Sequence, residues 1–203
     1  VVTSSTGAAA ILLRHGITEW NRQGRYTSAT DVGLLPDAPR QLLPAAAALQ
    51  ASGIERILLS PLRRARETET ILRQTGALGS IPAVIVEDLR ELDFGEFEGK
   101  TRQQLGTGLF AEAYRKWLRE EFAGPAAPGG ESLADAAARA SRVLESVAAS
   151  GRRTLIVSHG YLLKVMVSVA LPHEGQGGVR DSHFANGEIV RLEWDGNVWC
   201  RSS

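Results

Sequence analysis

The chain has 203 residues, 43% hydrophobic and 23% charged, an ordinary balance for a globular protein with a sizeable core. Its 23 basic residues cancel its 23 acidic ones, so no global field favours nucleic acid or a membrane surface as a partner. No apolar run is long enough to span a bilayer, no basic-then-apolar signal opens the chain, and the single cysteine, Cys200, excludes an internal disulfide; the expectation is a reduced, cytoplasmic protein.

After a small, polar lead-in over Val1 to Gly7, the apolar run Ala8 to Leu13 reads as a buried parallel strand. It ends abruptly in Arg14-His15-Gly16. The stretch Asn21 to Asp37, rich in Gly, Thr, Ser and Asp, is expected to be a loop, and a long loop at this place in a sheet tends to be functional. Pro39 to Ala51 reads as a helix, with Pro44 forcing a kink or a start nearer Leu43. Ile54 to Leu59 forms a second strand, Leu62 to Thr75 a helix stopped by Gly76, and Pro82 to Val86 a short third strand. Turn chemistry with an acidic bias fills Leu89 to Gly99. A helical stretch from Thr101 to Phe122 is broken near Gly106 and Gly108, and the Gly124 to Gly130 run reads as a mobile connector. Ser132 caps a helix to about Ala149; Thr154 to Val157 is a strand, followed by Ser158-His159-Gly160 and a helix from Tyr161 to about Ala170. Ile189 to Trp194 and Val198 to Arg201 pair through Asp195-Gly196-Asn197 as a terminal hairpin. Strands alternating with helices predict an α/β protein, a three-layer α/β/α sandwich whose sheet is mostly parallel with an antiparallel edge. No repeat or second core is visible, so residues 1–203 read as one domain with a helical cap at about 100–130.

Three strands end in residues of one character: Arg14-His15-Gly16, Ser60-Pro61-Leu62-Arg63-Arg64 and Ser158-His159-Gly160. Parallel strands bring their carboxyl ends to one rim, where open α/β sheets hold ligands. Two arginines and two histidines gathered there make an oxyanion site, with phosphate as the natural occupant. Helices starting at the same rim add backbone N–H groups and dipole field. The four histidines and one cysteine show no metal-ligand spacing, so neither a metal nor another cofactor is expected.

Arg14-His15-Gly16 with Trp20-Asn21, Ser60-Pro61-Leu62-Arg63-Arg64-Ala65, Leu89-Arg90-Glu91 with Phe94-Gly95-Glu96-Phe97-Glu98-Gly99, and Ser158-His159-Gly160 resemble the histidine phosphatase superfamily, most closely its phosphoglycerate-mutase-like branch. The motifs stand in the family's order along nearly the whole chain. The resemblance implies that His15 is the nucleophile, dividing one hard displacement into two easier ones through a phosphohistidine. It implies that Arg14, Arg64 and His159 bind the phosphoryl oxygens and that Glu91 protonates the leaving oxygen, then deprotonates the attacking water. Asn21, Thr27 and Gly160 would complete the cradle. His183 is a distant candidate for the rim, His173 a structural or surface residue, Arg63 solvated, and Tyr114 and Trp117 core.

Within that branch the expected reaction is metal-independent hydrolysis of a small phosphate monoester. The mutases carry Tyr three residues after the catalytic Glu, where this chain has Phe94, and typically Asn two residues after the second His, where it has Tyr161. Their longer insertion with an arginine pair cannot be placed between Glu91 and His159. A cofactor-dependent mutase is therefore the weaker reading; a phosphoprotein phosphatase or a non-catalytic phospho-ligand binder is weaker still, since all five catalytic groups are present. Ser28, Pro36 and Pro39 stand where many relatives have Gly, Thr and Gly, which bears on the phosphate loop and on substrate preference. Arg102, Arg115, Lys116 and Arg119 are available to meet a second anionic group, or to make the cap's solvent face. The branch often forms a homodimer; the chain itself does not disclose its oligomeric state.

Overall fold

The computed structural model describes residues 7–119, 127–172, 179 and 183–202. Six strands form one sheet: β1 (Ala9–Arg14), β2 (Arg56–Leu59), β3 (Ala83–Ile85), β4 (Arg153–Ser158), β5 (Ile189–Trp194) and β6 (Trp199–Arg201), in the order β3-β2-β4-β1-β5-β6. The first four are parallel; β5 and β6 extend the sheet as an antiparallel hairpin. The expected mostly parallel sandwich with an antiparallel edge is what forms.

Strand alternation produces the layers. Ile11, Leu13, Ile57, Leu59, Leu155 and Val157 face one way, against α3 (Leu43–Gln50) and α4 (Arg63–Gln74). Ala10, Leu12, Leu58, Ile156, Val190 and Leu192 face the other, against α7 (Leu133–Ser150) and α8 (Gly160–Ala170). Central strands covered on both faces must be apolar throughout, which is why β1 reads as a continuous hydrophobic run rather than an alternation.

Local signals set the helix ends. Short helices α1 (Glu19–Arg22) and α5 (Arg102–Leu105) each start with a reciprocal capping box, Thr18 with Asn21 and Thr101 with Gln104; such a cap contributes about 1 kcal/mol. Asn21 therefore belongs to a helical turn rather than to the expected loop. The predicted helix over Pro39 to Ala51 is interrupted at Leu42, leaving α2 (Ala38–Gln41) and α3, each with proline in its first turn, where the missing N–H costs nothing. Ser132 caps α7 through Asp135 N, and Gly151 ends it in the left-handed region at φ 65°. The broken stretch after Thr101 becomes α5, a 3₁₀ turn at Gly108–Phe110 and α6 (Ala111–Arg119). The lead-in before Gly7, Phe122, the Gly124 end of the connector and His173 lie outside the described residues.

One expectation is corrected. The described half of the Gly124 to Gly130 run is anchored: Ala127 is buried, Glu96 N donates to Pro128 O at 2.8 Å, and Glu131 N donates to Asp93 O at 2.9 Å. A Cβ on Gly95 would stand 2.2 Å from Pro128 O, and one on Gly130 2.4 Å from Asp93 O. Glycine composition suggests freedom, but here it permits two backbones to cross in contact.

Among the described residues no helix is long and apolar enough to cross a membrane. Nor does any group of three or more His, Cys, Asp or Glu among them stand ready to hold a metal ion.

Candidate active site

The register aligns the strand ends. Arg14 of β1 lies opposite Ser158 of β4, and Leu13 and Leu59 both pair with Val157. His15 N then donates to Ser158 O at 3.0 Å and Ser60 N to Val157 O at 3.1 Å. The three motifs thus leave the sheet side by side, as expected of parallel strands that share one rim. A cavity of about 390 Å3 opens over this rim, lined by Arg14, His15, Asn21, Thr27, Glu91 and Gly160 among others.

His15 is buried, and its Nδ1 lies 2.7 Å from Gly16 O. A carbonyl only accepts, so Nδ1 carries the proton and Nε2 keeps its lone pair. Burial, then the charges of Arg14 and Arg64, hold the imidazole well below its ordinary pKa, outweighing the bond to Gly16. The ring is therefore neutral and nucleophilic at neutral pH. Its backbone is fixed from two sides. Gly16 N donates to Thr68 Oγ1 at 2.9 Å, and Asn186 Nδ2 reaches His15 O at 3.1 Å, Gly16 O at 3.3 Å and Asn21 Oδ1 at 3.0 Å. Asn21 Oδ1 also accepts from Thr18 N and Oγ1, which leaves the Asn21 NH2 group for the cavity that it lines.

Arg14 donates through Nη1 to Phe184 O at 2.5 Å, while its buried Nε has no hydrogen-bond partner among the described residues. Unpaired buried donors are rare, and this one belongs to a residue that lines the cavity. The guanidinium packs over the start of α8: a Cβ on Gly160 would lie 3.2 Å from Arg14 Cζ and Nε. A side chain at 160 would therefore crowd that guanidinium, which would have to give by a few tenths of an ångström.

Glu91 reaches the same helix start. Its Oε2 accepts from Tyr161 N at 3.1 Å and its Oε1 from Leu162 N and Leu92 N, both at 2.9 Å. The positive end of α8 suits a carboxylate. Neighbouring Arg90 turns away to an exposed pair with Glu87 at 2.6 Å, worth little, so Glu91 is free of a local ion pair.

Arg64 and His159 stand behind this front, almost wholly buried. Arg64 Nε donates to His159 Nδ1 at 3.1 Å, and its Nη1 and Nη2 donate to Thr30 O at 3.2 Å and Ser28 O at 3.0 Å. Because arginine only donates, His159 Nδ1 is unprotonated and Nε2 donates to Ser60 Oγ at 2.7 Å. Burial, then Arg64, His15 and Arg14, keep this ring neutral too, 5.1 Å from His15 centre to centre. The expectation that His159 meets the oxygens directly differs from what is found: both its ring nitrogens are taken by protein groups. Arg64 keeps a second N–H on each of Nη1 and Nη2.

Thr27 lines the cavity, and the loop after it is tied down by Glu98, whose Oε1 accepts from Ser28 N at 3.0 Å and Thr30 N at 2.7 Å. Burial opposes the Glu98 charge, but these bonds outweigh it and lower the pKa. Ser28 needs no glycine geometry, since no non-glycine residue among those described has a positive φ. Its Oγ instead accepts from Phe94 N at 3.4 Å, joining the loop to the segment that carries Glu91.

Above the rim stand Tyr26, Phe94 and Tyr161, with Arg25, Arg102, Lys164 and His183 also lining the cavity. His183 and Arg102, both expected candidates for such a place, are in it, whereas Arg115, Lys116 and Arg119 lie exposed and outside it. Tyr114 and Trp117 are core, edge-on to Tyr26, and Arg63 pairs with Glu67 at the surface. Asn186, Thr68 and the Glu98 clamp are not legible as site residues in the sequence. Asn186-Gly187 looks like a turn before a strand, and Thr68 like an ordinary helical polar residue.

Residues 10–201 match the model of the histidine phosphatase superfamily, branch 1. The "Bifunctional protein Rv2228c" of Mycobacterium tuberculosis is 35% identical over 169 residues, which are 82% of this chain but 45% of that protein, so the chain spans under half of its length. A 2,3-bisphosphoglycerate-dependent phosphoglycerate mutase of Azorhizobium caulinodans is 30% identical across 93% of this chain and 94% of its own. Among solved structures, a mycobacterial glucosyl-3-phosphoglycerate phosphatase, Rv2419c, solved with VO3, superposes with a TM-score of 0.82 at 26% identity, covering 97% and 98% of the two chains. With its strand-end histidines at one rim and this match over nearly its whole length, the chain belongs to branch 1 of the histidine phosphatase superfamily of enzymes.

Proposed function

We propose that the protein hydrolyses small phosphate monoesters through a phosphohistidine at His15, without a metal. The observation that carries this is the 2.7 Å contact from His15 Nδ1 to Gly16 O, which leaves Nε2 of a buried neutral ring as the nucleophile beside Arg14. Nε2 attacks phosphorus; the P–O bond to the alcohol breaks, and the leaving oxygen takes a proton from Glu91, which enters this step as the carboxylic acid and leaves it as the carboxylate. Water then attacks the phosphohistidine, gives its proton to Glu91, and His15 departs with its lone pair restored. Phosphoryl transfer needs mainly positioning and charge stabilisation. Arg14 and the Asn21 NH2 group supply donors from the cavity wall, with Thr27 and Gly160 shaping the cradle and Arg64 adding its charge from behind. His159 holds Arg64 in place. The cations do the electrostatic work a metal would otherwise do.

The segment at about 100–130 acts as the cap. Arg102 lines the cavity, and Trp117 packs edge-on against Tyr26 and Phe94, which line it as well. Mutase activity is the second reading, favoured by the near full-length similarity to the Azorhizobium mutase. Phe94 and Tyr161, packed edge to face at 5.1 Å, occupy the places where mutases carry Tyr and Asn, which favours hydrolysis.

His15→Ala is expected to abolish turnover of p-nitrophenyl phosphate, a loss of at least about 10⁴-fold, and of any acid-labile phosphoprotein trapped on rapid quench. Turnover that persists in this variant rejects the proposal. Assaying 3-phosphoglycerate with and without a bisphosphoglycerate primer separates the two readings: fast isomerisation selects the mutase.

A further inference from the structure

Glu91 is held not only at its carboxylate but along its backbone, and most of that hold comes from one buried ion pair. Arg139, on the inward face of α7, meets Glu131 in a fork: Nε to Oε1 at 2.7 Å and Nη2 to Oε2 at 2.8 Å. Its Nη1 donates to both Asp88 O at 2.6 Å and Arg90 O at 2.7 Å. Between them, Leu89 O accepts from Ser158 Oγ at 2.8 Å. Three successive carbonyls before Glu91 are thereby fixed, two of them by one guanidinium. After Glu91, the partner carboxylate takes over: Glu131 N donates to Asp93 O at 2.9 Å, and Glu131 Oε2 accepts from Asp93 N at 3.4 Å.

The burial is informative. The Arg139 and Glu131 side chains are 10% and 20% exposed, whereas the Arg90–Glu87 and Arg142–Asp88 pairs close by lie much further out in solvent. A buried ion pair seldom adds net stability over apolar packing, because desolvation offsets the attraction. Positioning is a use that such a pair can serve, since a fork of fixed N–H groups dictates geometry. A general acid displaced by about 1 Å can lose about 10²-fold in rate.

We propose that Arg139 and Glu131 are a positioning pair that sets Glu91 for proton transfer, clamping the chain on both sides of it to α7. The inference rests on the reading of Glu91 as the acid that protonates the leaving oxygen. Neither residue touches the cavity, so both act through Glu91.

The test is the dependence of kcat/KM on the leaving group, across p-nitrophenyl, phenyl and simple alkyl phosphates. kcat/KM reports transfer to His15 and not the later hydrolysis step common to all three. A p-nitrophenolate leaves without a proton, and an alkoxide does not. Arg139→Met is expected to lose about 10–10²-fold on alkyl phosphate and no more than about twofold on p-nitrophenyl phosphate, parallel in direction to Glu91→Gln. Glu131→Gln, which keeps one acceptor, should lose less. Arg142→Ala, which frees only the Asp88 side chain, should stay within about twofold on every substrate. Should Arg139→Met fail to fold because Glu131 is stranded, the Arg139→Met/Glu131→Met variant removes both charges and carries the same expectation. Equal losses on all three leaving groups, or none, overturn the proposal while Glu91→Gln still steepens the series. A flat series for Glu91→Gln itself overturns the reading of Glu91, and the positioning proposal with it.

Discussion

At the scale of single residues, the site is governed by who donates to whom. His15 keeps a lone pair on Nε2 because one carbonyl fixes its tautomer while burial and two guanidinium groups deny the ring a second proton. Arg14 carries charge into the same space, and Gly160 is what lets it lie there. Gly160→Ala sets two effects against each other. Alanine at the first residue of α8 favours the helix by up to about 1 kcal/mol over glycine. Its Cβ would meet Arg14 Cζ and Nε at 3.2 Å, and the guanidinium must move a few tenths of an ångström. The expected outcome is an unchanged or raised melting temperature with kcat/KM lowered about tenfold, since preorganised charge is lost without loss of packing. A variant as active as the parent would show that Arg14 is not held by this contact.

At the scale of elements, what matters is how separate segments are locked together under the rim. The 93–95 and 128–130 segments cross so closely that glycine is required in both. At Gly130 a Cβ would fall 2.4 Å from Asp93 O and 2.9 Å from Gly95 N, both backbone atoms with little room to retreat. Gly130→Ala is therefore expected to destabilise the protein by about 2–4 kcal/mol, read as a lower urea midpoint with unchanged slope. A midpoint equal to the parent's would contradict the crossing. The loop after Thr27 shows the same economy of attachment. Ser28, a departure from the usual glycine of relatives, keeps ordinary backbone geometry and uses its hydroxyl to receive Phe94 N. Glu98 then anchors the loop backbone through Ser28 N and Thr30 N, so the serine is one of two ties that hold the loop.

For the molecule as a whole, two buried neutral imidazoles at one rim have a thermodynamic consequence. His15 and His159 both have folded-state pKa values well below 6.5. Above that value neither state of the chain protonates them, and stability is full. As pH falls below it, the unfolded chain takes up two protons that the folded chain refuses, so stability is lost on acidification. The slope can reach about 3 kcal/mol per pH unit for two such groups. The lowered Glu98 adds a loss of the same sign below its ordinary 4.5. The urea midpoint should drop between about pH 7.5 and about pH 5.5; an unchanged midpoint would mean that both rings take up their protons in the folded chain as readily as in the unfolded one.

How much of this was legible in the chain follows from the range of each interaction. The buried strands, the helix starts at Ser132 and Leu43 and the mostly parallel sheet could be read directly, because hydrophobic period, caps and prolines act within a few residues. The convergence of Arg14-His15, Ser60 to Arg64 and Ser158-His159 was legible as well, since parallel strands share a rim. Hydrogen bonds across the fold have no such local signature. Asn186 reaches His15 from 171 positions away, and Arg139 holds Arg90 from 49. Glycines at 95 and 130 look like slack until two backbones are seen in contact. The sequence by itself determined the family, the layers and the groups available for phosphate chemistry. Only the tertiary structure decided that Nε2 of His15 is free, that both nitrogens of His159 are taken by Arg64 and Ser60, and that the backbone around Glu91 is held by the Arg139–Glu131 pair, because each of those depends on where partners distant along the chain come to rest.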